Sequence, residues 1–412
     1  MKKIYLLALV FMFVVSVSSV CAADNNTTDT GVEINNTGVV DTPTYNFKSI
    51  QDDIDSGKQK IDLTGDYLRD NRDKDIVVKG NVTIDGHGHK IDAQNKGGIF
   101  KLDPKSNLTL INLTLMNGLS NIGSAIDVKD STINANNVKF VGNVATLNGG
   151  AIYLHVNSKG NLNNVEFESN AAKTAGGSIY SNQNATLNVN NTVFTKNYAP
   201  ERGGAIYAYE NHMGLSNVTI RDNEARRGAG IYAIGDFILN IDDSEFIDNH
   251  AVDEAGAIGL YRGCGCVMNN VTLKGNQAIS GAGIYAERNS ILNVSDAKLI
   301  SNKKLGTTRE CISNGGAIHL GDNSKGFIRN VSFCDNFATS GSAIYSAANC
   351  VLNVSDAKFV NNLVVIGDHT YDLYKCLGTV YLGSKSEGYF NNVSFLKNTA
   401  SYGTEYMQIN VN

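Results

Sequence analysis

Two short motifs return through most of this 412-residue chain, and they return in step. One is Gly203-Gly204-Ala205-Ile206-Tyr207, with near-copies at Gly149 to Tyr153, Gly176 to Tyr180, Gly228 to Tyr232 and Gly281 to Tyr285, and weaker ones as far as Gly378 to Tyr381. The other is an apolar residue followed three later by Asn: Phe140/Asn143, Phe167/Asn170, Phe194/Asn197, Ile220/Asn223 and onward to Phe395/Asn398. From Ile to Ile the step is 25 to 27 residues, apart from two steps of 34 and 36. A unit this short cannot bury its own apolar face, so two motifs locked in phase demand a solenoid whose units stack.

Within each unit the apolar residues alternate, as in Leu187/Val189, Met213/Leu215 and Leu239/Ile241. Period two over short runs, punctuated by Asn and Gly, specifies strands and not helices. About three such strands fill one triangular coil, each pairing in parallel with the coils above and below. A leucine-rich repeat has a similar period, but its leucine–asparagine signature is absent. The chain is therefore expected to be all-β, a right-handed parallel β-helix of about 12–13 coils around a column of Ile, Leu, Val and Phe. The Gly pairs mark tight corners. The recurring Asn is expected to turn inward at another corner and stack as a ladder.

Taken in order, residues 1–23 read as a secretory signal: Lys2-Lys3, an apolar run from Ile4 to Val17, then Cys21-Ala22-Ala23. The run is short for a membrane span, and no later stretch approaches that length. Residues 24–44 form a polar linker rich in Asn, Thr and Asp. Residues 45–120 read as an N-terminal cap and first coils, with Phe47 to Ile54 at helical spacing and Ser49 as a candidate cap. Residues 121–412 hold the regular coils.

Lys+Arg 35 against Asp+Glu 40 gives −5, and loss of Lys2 and Lys3 with the signal gives −7. Mild acidity disfavours nucleic acid and anionic membrane as partners. No cofactor is expected, and no metal set. Cys266 falls in an inward register, while Cys264 and Cys350 share a register three coils apart, too far for a bond. Cys311 and Cys376 sit in the two long steps of the repeat and are candidates for a disulfide.

The paired GGAI and FxxN motifs resemble the repeat of the polymorphic membrane protein family of surface adhesins. The alternation of Asn217-Val218-Thr219-Ile220 or Asn392-Val393-Ser394-Phe395 with Gly-Gly-Ala-Ile-Tyr is similar to secreted adhesin-like proteins of methanogenic archaea. Ile84 to Asp92 looks like the first-coil motif of pectate-lyase-like β-helices. The resemblance spans roughly residues 45 to 405. It implies a non-catalytic exported adhesin-like protein, secreted or held at a cell surface. Its expected partners are surface glycans or surface proteins, of other cells or of its own envelope. The C-terminal anchor, autotransporter barrel or immunoglobulin-like stalk of larger members has no match in this sequence, so the mature protein is expected to be soluble unless tethered non-covalently.

β-Helices also carry polysaccharide lyases and hydrolases, so carboxylate placement matters. In the polygalacturonase-like family the order is Asn-Thr-Asp, Asp-Asp, Gly-His-Gly, Arg-x-Lys; here Gly86-His87-Gly88 precedes Asp242-Asp243, and Arg72-Asp73-Lys74 precedes both. His87 and His89 read as turn residues. A Ca²⁺-dependent lyase would need an acidic cluster beside a basic residue. The candidate is a corner holding Glu201-Arg202, Asp222, Glu224, Arg226-Arg227, Asp248, His250 and Asp253-Glu254, which also reads as a ladder of paired surface charges. A third reading is a structural spacer in a cell envelope.

Three sets are candidates for contact. Tyr153, Tyr180, Tyr207 and Tyr232 recur on the outward parity of one strand, with Tyr285, Tyr345 and Tyr381 continuing the column; such a strip stabilises a sheet or stacks on sugar faces. The insertions after Asn302 and Asn362 carry Lys303, Lys304 and Arg309 on one and Asp368, His369, Tyr371 and Tyr374 on the other. They are expected to leave the same corner two coils apart, where a Cys311–Cys376 bond would tie them into one platform. The sequons at Asn81, Asn217, Asn270, Asn293, Asn330, Asn353 and Asn392 read either as glycan acceptors or as turn chemistry.

Overall fold

A computed structural model describes residues 45–304, 313–364 and 378–400. They wind into a right-handed parallel β-solenoid of about eleven turns, preceded by one helix. Helix α1 (Phe47–Asp55) is amphipathic, and Phe47, Ile50 and Ile54 are buried over the first coils. Its cap is Asn46, not Ser49: the Asn46 side chain accepts from the Ser49 backbone N–H at 3.0 Å, satisfying one of the donors a helix start leaves open. Gln51 on the helix accepts from the Val77 backbone N–H at 2.7 Å and donates to its carbonyl at 3.2 Å. This side chain blunts the first strand edge of the sheet that Val77 opens.

Most coils contribute to three parallel sheets, of 12, 23 and 11 strands. The 12-strand sheet stacks the Ile-Tyr strands, pairing Ile152 with Ile179, Ile179 with Ile206 and Ile206 with Ile231. The 23-strand sheet receives two segments per coil in most coils, such as Thr186–Asn190 and Val193–Thr195. The 11-strand sheet holds the short strands after the Asn corner, such as Glu224–Arg227 and His250–Glu254. The first coils supply no strand to this last sheet, so the full turns number about eleven, fewer than the 12–13 coils expected.

A regular coil turns through four left-handed residues, for example Asn184, Asn191, Lys196 and Gly203. Between the two segments of the long sheet stands Asn or Asp: Asn137, Asn164, Asn191 and Asn217 have φ of 48° to 55°. These side chains tolerate that region better than most, because they hydrogen-bond locally. At the entry to the Ile-Tyr strand stands Gly203 (φ 65°), followed by Gly204, where a Cβ would lie 2.4 Å from the Ala229 carbonyl oxygen. The chain there admits no side chain.

The interior is a column of fully buried apolar groups, with Phe140, Phe167 and Phe194 stacked 4.7 Å apart. Beside it runs the expected asparagine ladder, fully buried from Asn143 to Asn362. Asn170 shows its chemistry. The side-chain nitrogen donates to the Phe140 carbonyl at 2.9 Å and to Asn197 Oδ1 at 3.1 Å. Its Oδ1 accepts from the Asn143 backbone N–H and side chain, both at 3.0 Å. Both donors and both lone pairs are engaged, so the amide is saturated.

Candidate functional site

Asn302, Asn336 and Asn362 are consecutive rungs of that ladder, at 3.1 and 3.0 Å. The described residues at the roots of the two insertions, Lys303–Lys304 and Leu363–Val364, are strands of one sheet two coils apart. Lys303 and Lys304 form a short strand at the root of the first, Lys303 pairing with Gln277 and Phe337. Arg309, Cys311, Asp368, His369, Tyr371, Tyr374 and Cys376 lie outside the described residues, as do the signal and linker of residues 1–44. Cys264, Cys266 and Cys350 are buried free thiols, and Cys334 is a half-buried one.

The tyrosine column is closed on itself. Tyr153, Tyr180, Tyr207 and Tyr232 stack nearly parallel with centroids 4.6 to 5.3 Å apart. Where the register gives Gly259 instead of Tyr, Tyr261 swings in to continue the stack at 4.1 Å from Tyr232. Gly259 is needed there, since its Cβ would lie 2.6 Å from the Tyr261 ring. His319 then takes one position between Tyr285 and Tyr345, at 4.8 and 4.9 Å. Tyr207 and Tyr232 keep only 7% and 3% of their surface exposed. Burial raises the Tyr207 hydroxyl and pushes Tyr232 up to about 12. Burial also takes His319 down to about 4, its Nδ1 being enclosed without a partner. Rings whose faces meet other rings offer a ligand only their edges.

The charged corner is a network of pairs. Arg226 Nε lies 2.8 Å from Asp253, and Arg227 lies 3.6 Å from Asp253 and 3.5 Å from Glu254. Arg202 sits over the Tyr232 ring at 5.6 Å, where ring and cation attract. Burial raises the Glu254 carboxyl. Asp222 and Asp248 occupy left-handed corner positions, at φ 56° and 52°. In the first coils, Asp62, Asp85 and His87 each place a ligand atom within 4.8 Å of the others. Lys60 Nζ stands 3.0 Å from Asp62, and its hydrogen bond, then that of His87, lowers the Asp62 carboxyl. An ammonium thus already competes for the charge that a cation would meet.

Four sequons share one structural cause. Asn217, Asn270, Asn330 and Asn392 are left-handed corner residues (φ 50° to 53°). Each donates to the corner residue one coil below, for example Asn217 to Asn191 at 2.7 Å and Asn270 to Asp243 at 2.8 Å. Asn293 and Asn353 stand instead on the outer parity of the long sheet, and Asn81 opens a strand in the first coils.

That outer parity carries a further feature. Asn134, Asn161 and Asn188 form one column on the long sheet, and Asn136, Asn163 and Asn190 a second, two residues along each strand. The corner asparagines make a third. These amides border a shallow trough of about 620 Å³ that runs on to Gly214, Ser216, Asn240 and Asp242. The signal was present as Asn at i and i+2 between inward Leu and Val. Attention to the apolar parity of each strand hides the opposite one.

With this geometry in hand, two family models match parts of the chain. Residues 151–310 match the family described as right-handed β-helix region. Residues 137–155 match the Chlamydia polymorphic membrane protein repeat. No curated protein matches the chain. Among solved structures, tailspike protein 3 of bacteriophage CBA120 is similar at 12% identity and a TM-score of 0.34, over 89% of this chain and 61% of that one. The fold is a right-handed parallel β-helix, and one stretch of it, residues 137–155, is similar to the polymorphic membrane protein repeat.

Proposed function

We propose that this chain is a non-catalytic, exported adhesin-like protein that meets surface glycans or surface proteins along the flank of its rod. The observation that carries this reading is the division of labour between inside and outside. The buried ladder and phenylalanine column hold the coils rigidly without help from the outer face, which is left free to be a contact surface. Its repeat type supports the same reading. Three carboxylates of the charged corner, Glu201, Asp253 and Glu254, lie within 4 Å of Arg226 or Arg227, which favours contact over acid–base chemistry. The test is adhesion of the full-length protein to cells and glycan arrays, run beside a polysaccharide panel with and without Ca²⁺. Adhesion without depolymerisation is expected. Turnover that Asp248→Ala abolishes would overturn the reading in favour of a lyase or hydrolase.

A further inference from the structure

The outer amides differ from the buried ones in how much of their bonding capacity is used. Asn161 donates to Asn134 at 2.9 Å and accepts from Asn188 at 3.0 Å. Asn163 likewise donates to Asn136 at 3.1 Å and accepts from Asn191 at 2.9 Å. One N–H and one lone pair on each therefore face solvent. Asparagine is also a poor strand former, on a scale spanning about 1 kcal/mol. Six of them stand in three consecutive strands, where the ladder bonds between coils use only part of their capacity.

A second observation points to a ligand at one place. Gly214 interrupts the first column, paired between Asn188 and Asn240. The other described glycines within strands (160, 259, 265, 326 and 388) have a neighbour within 3.4 Å of where a Cβ would stand. At Gly214 nothing lies nearer than Asn188 Oδ1 at 4.0 Å, and its φ is not left-handed. Neither space nor backbone requires glycine there. A glycine within a strand often marks a bulge, a bend or a place where a ligand or another backbone approaches closely, and Gly214 sits at neither a bulge nor a left-handed bend. The notch it leaves is bordered by Asn188, Asn190 and Asn240, and Ser216 follows it on the same strand.

The chemistry of the lining selects the visitor. Across the coils from residue 107 to 217 the two columns carry no charge; Lys159 stands at one flank, and the trough ends on the carboxylate Asp242. Cations in number would be needed for nucleic acid or an acidic glycan. Docked protein interfaces centre on apolar and aromatic side chains, and the two columns hold one large one in this stretch, the half-buried Ile111 at their first coil. What remains is a ligand rich in neutral hydroxyls, each able to give and take a hydrogen bond. The amides repeat at about 4.8 Å from coil to coil, so a polymer repeats its contacts along the rod and gains by multivalency.

Resting on the adhesin reading, we infer that the outer asparagine face is a binding site for an uncharged polysaccharide, seated with a sugar in the Gly214 notch. The experiment titrates the full-length protein with linear neutral chains (a β-glucan, a mannan and a galactan) and with polygalacturonate, against wild type, Gly214→Asn and Asn190→Ala. Gly214→Asn has room to fit and fills the notch, so folding is kept. At least one neutral chain is expected to bind wild type, with affinity falling about tenfold or more in both variants, and polygalacturonate is expected to bind least. Neutral binding untouched by Gly214→Asn would overturn the site. Preference for polygalacturonate would overturn the ligand class. Adhesion to cells without any neutral-glycan binding would overturn this inference and leave the adhesin reading standing; loss of both would remove that reading as well.

Discussion

The inner and outer asparagines are the same side chain at the same coil spacing, and they do opposite things. Asn170 and Asn197 inside use every donor and acceptor on neighbours above and below. Asn161 and Asn163 outside use about half. Inside, an unmade bond leaves a buried polar group that water cannot reach, at about 1–3 kcal/mol each. Outside, water satisfies the remainder at no penalty. Repetition of a residue type therefore says little about its role. Saturation of its bonding capacity says more: a full ladder is architecture, a half-satisfied one is a surface.

The largest expected effect is inside. Asn197→Ala removes the acceptor of two Asn170 donors and the donor to the Phe167 carbonyl. A loss of about 3–6 kcal/mol follows from the groups left unpaired, read as a lowered denaturation midpoint. Tyr232→Ala comes next, at about 3 kcal/mol for an emptied slot between Tyr207 and Tyr261. A cost below about 0.5 kcal/mol there would mean that the ring column is an open strip after all.

His319 gives a pH-dependent contrast within that column. Its folded pKa is depressed to about 4, below its unfolded value, so the unfolded chain binds the proton first as pH falls. Stability is expected to be intact above about pH 6.5 and to decline from there towards pH 4. His319→Tyr, which restores the residue type of its neighbours, should flatten that decline. The smallest effect is outside: Asn161→Ala is expected to change stability by about 0.5 kcal/mol or less.

Much of this was legible in the sequence, for a definite reason. Apolar parity and the Asn step are fixed by burial, so Ile206, Phe194 and Asn197 announce strand, core and ladder from spacing alone. The helix start is legible in the sequence but its cap is not, because Asn46 and Ser49 are both good capping residues and only geometry separates them. Outward parity is a weaker code. It places Tyr207 and Asn161 on the outside alike, yet not that one ring is covered by its neighbours while the other amide lies open. Nor does spacing reveal Tyr261 filling the gap at Gly259, or that Gly214, alone among the described strand glycines, has open space above it.

The most direct measurement compares the two ladders in one assay. Thermal melts and neutral-polysaccharide titrations are run on Asn197→Ala and on the outer triple variant Asn161→Ala, Asn163→Ala, Asn188→Ala. The inner variant is expected to lose stability and bind normally per folded molecule at a temperature where it is folded. The outer variant is expected to melt near wild type and to lose binding. An outer variant that melts as early as the inner one, or that binds as wild type does, would contradict the account.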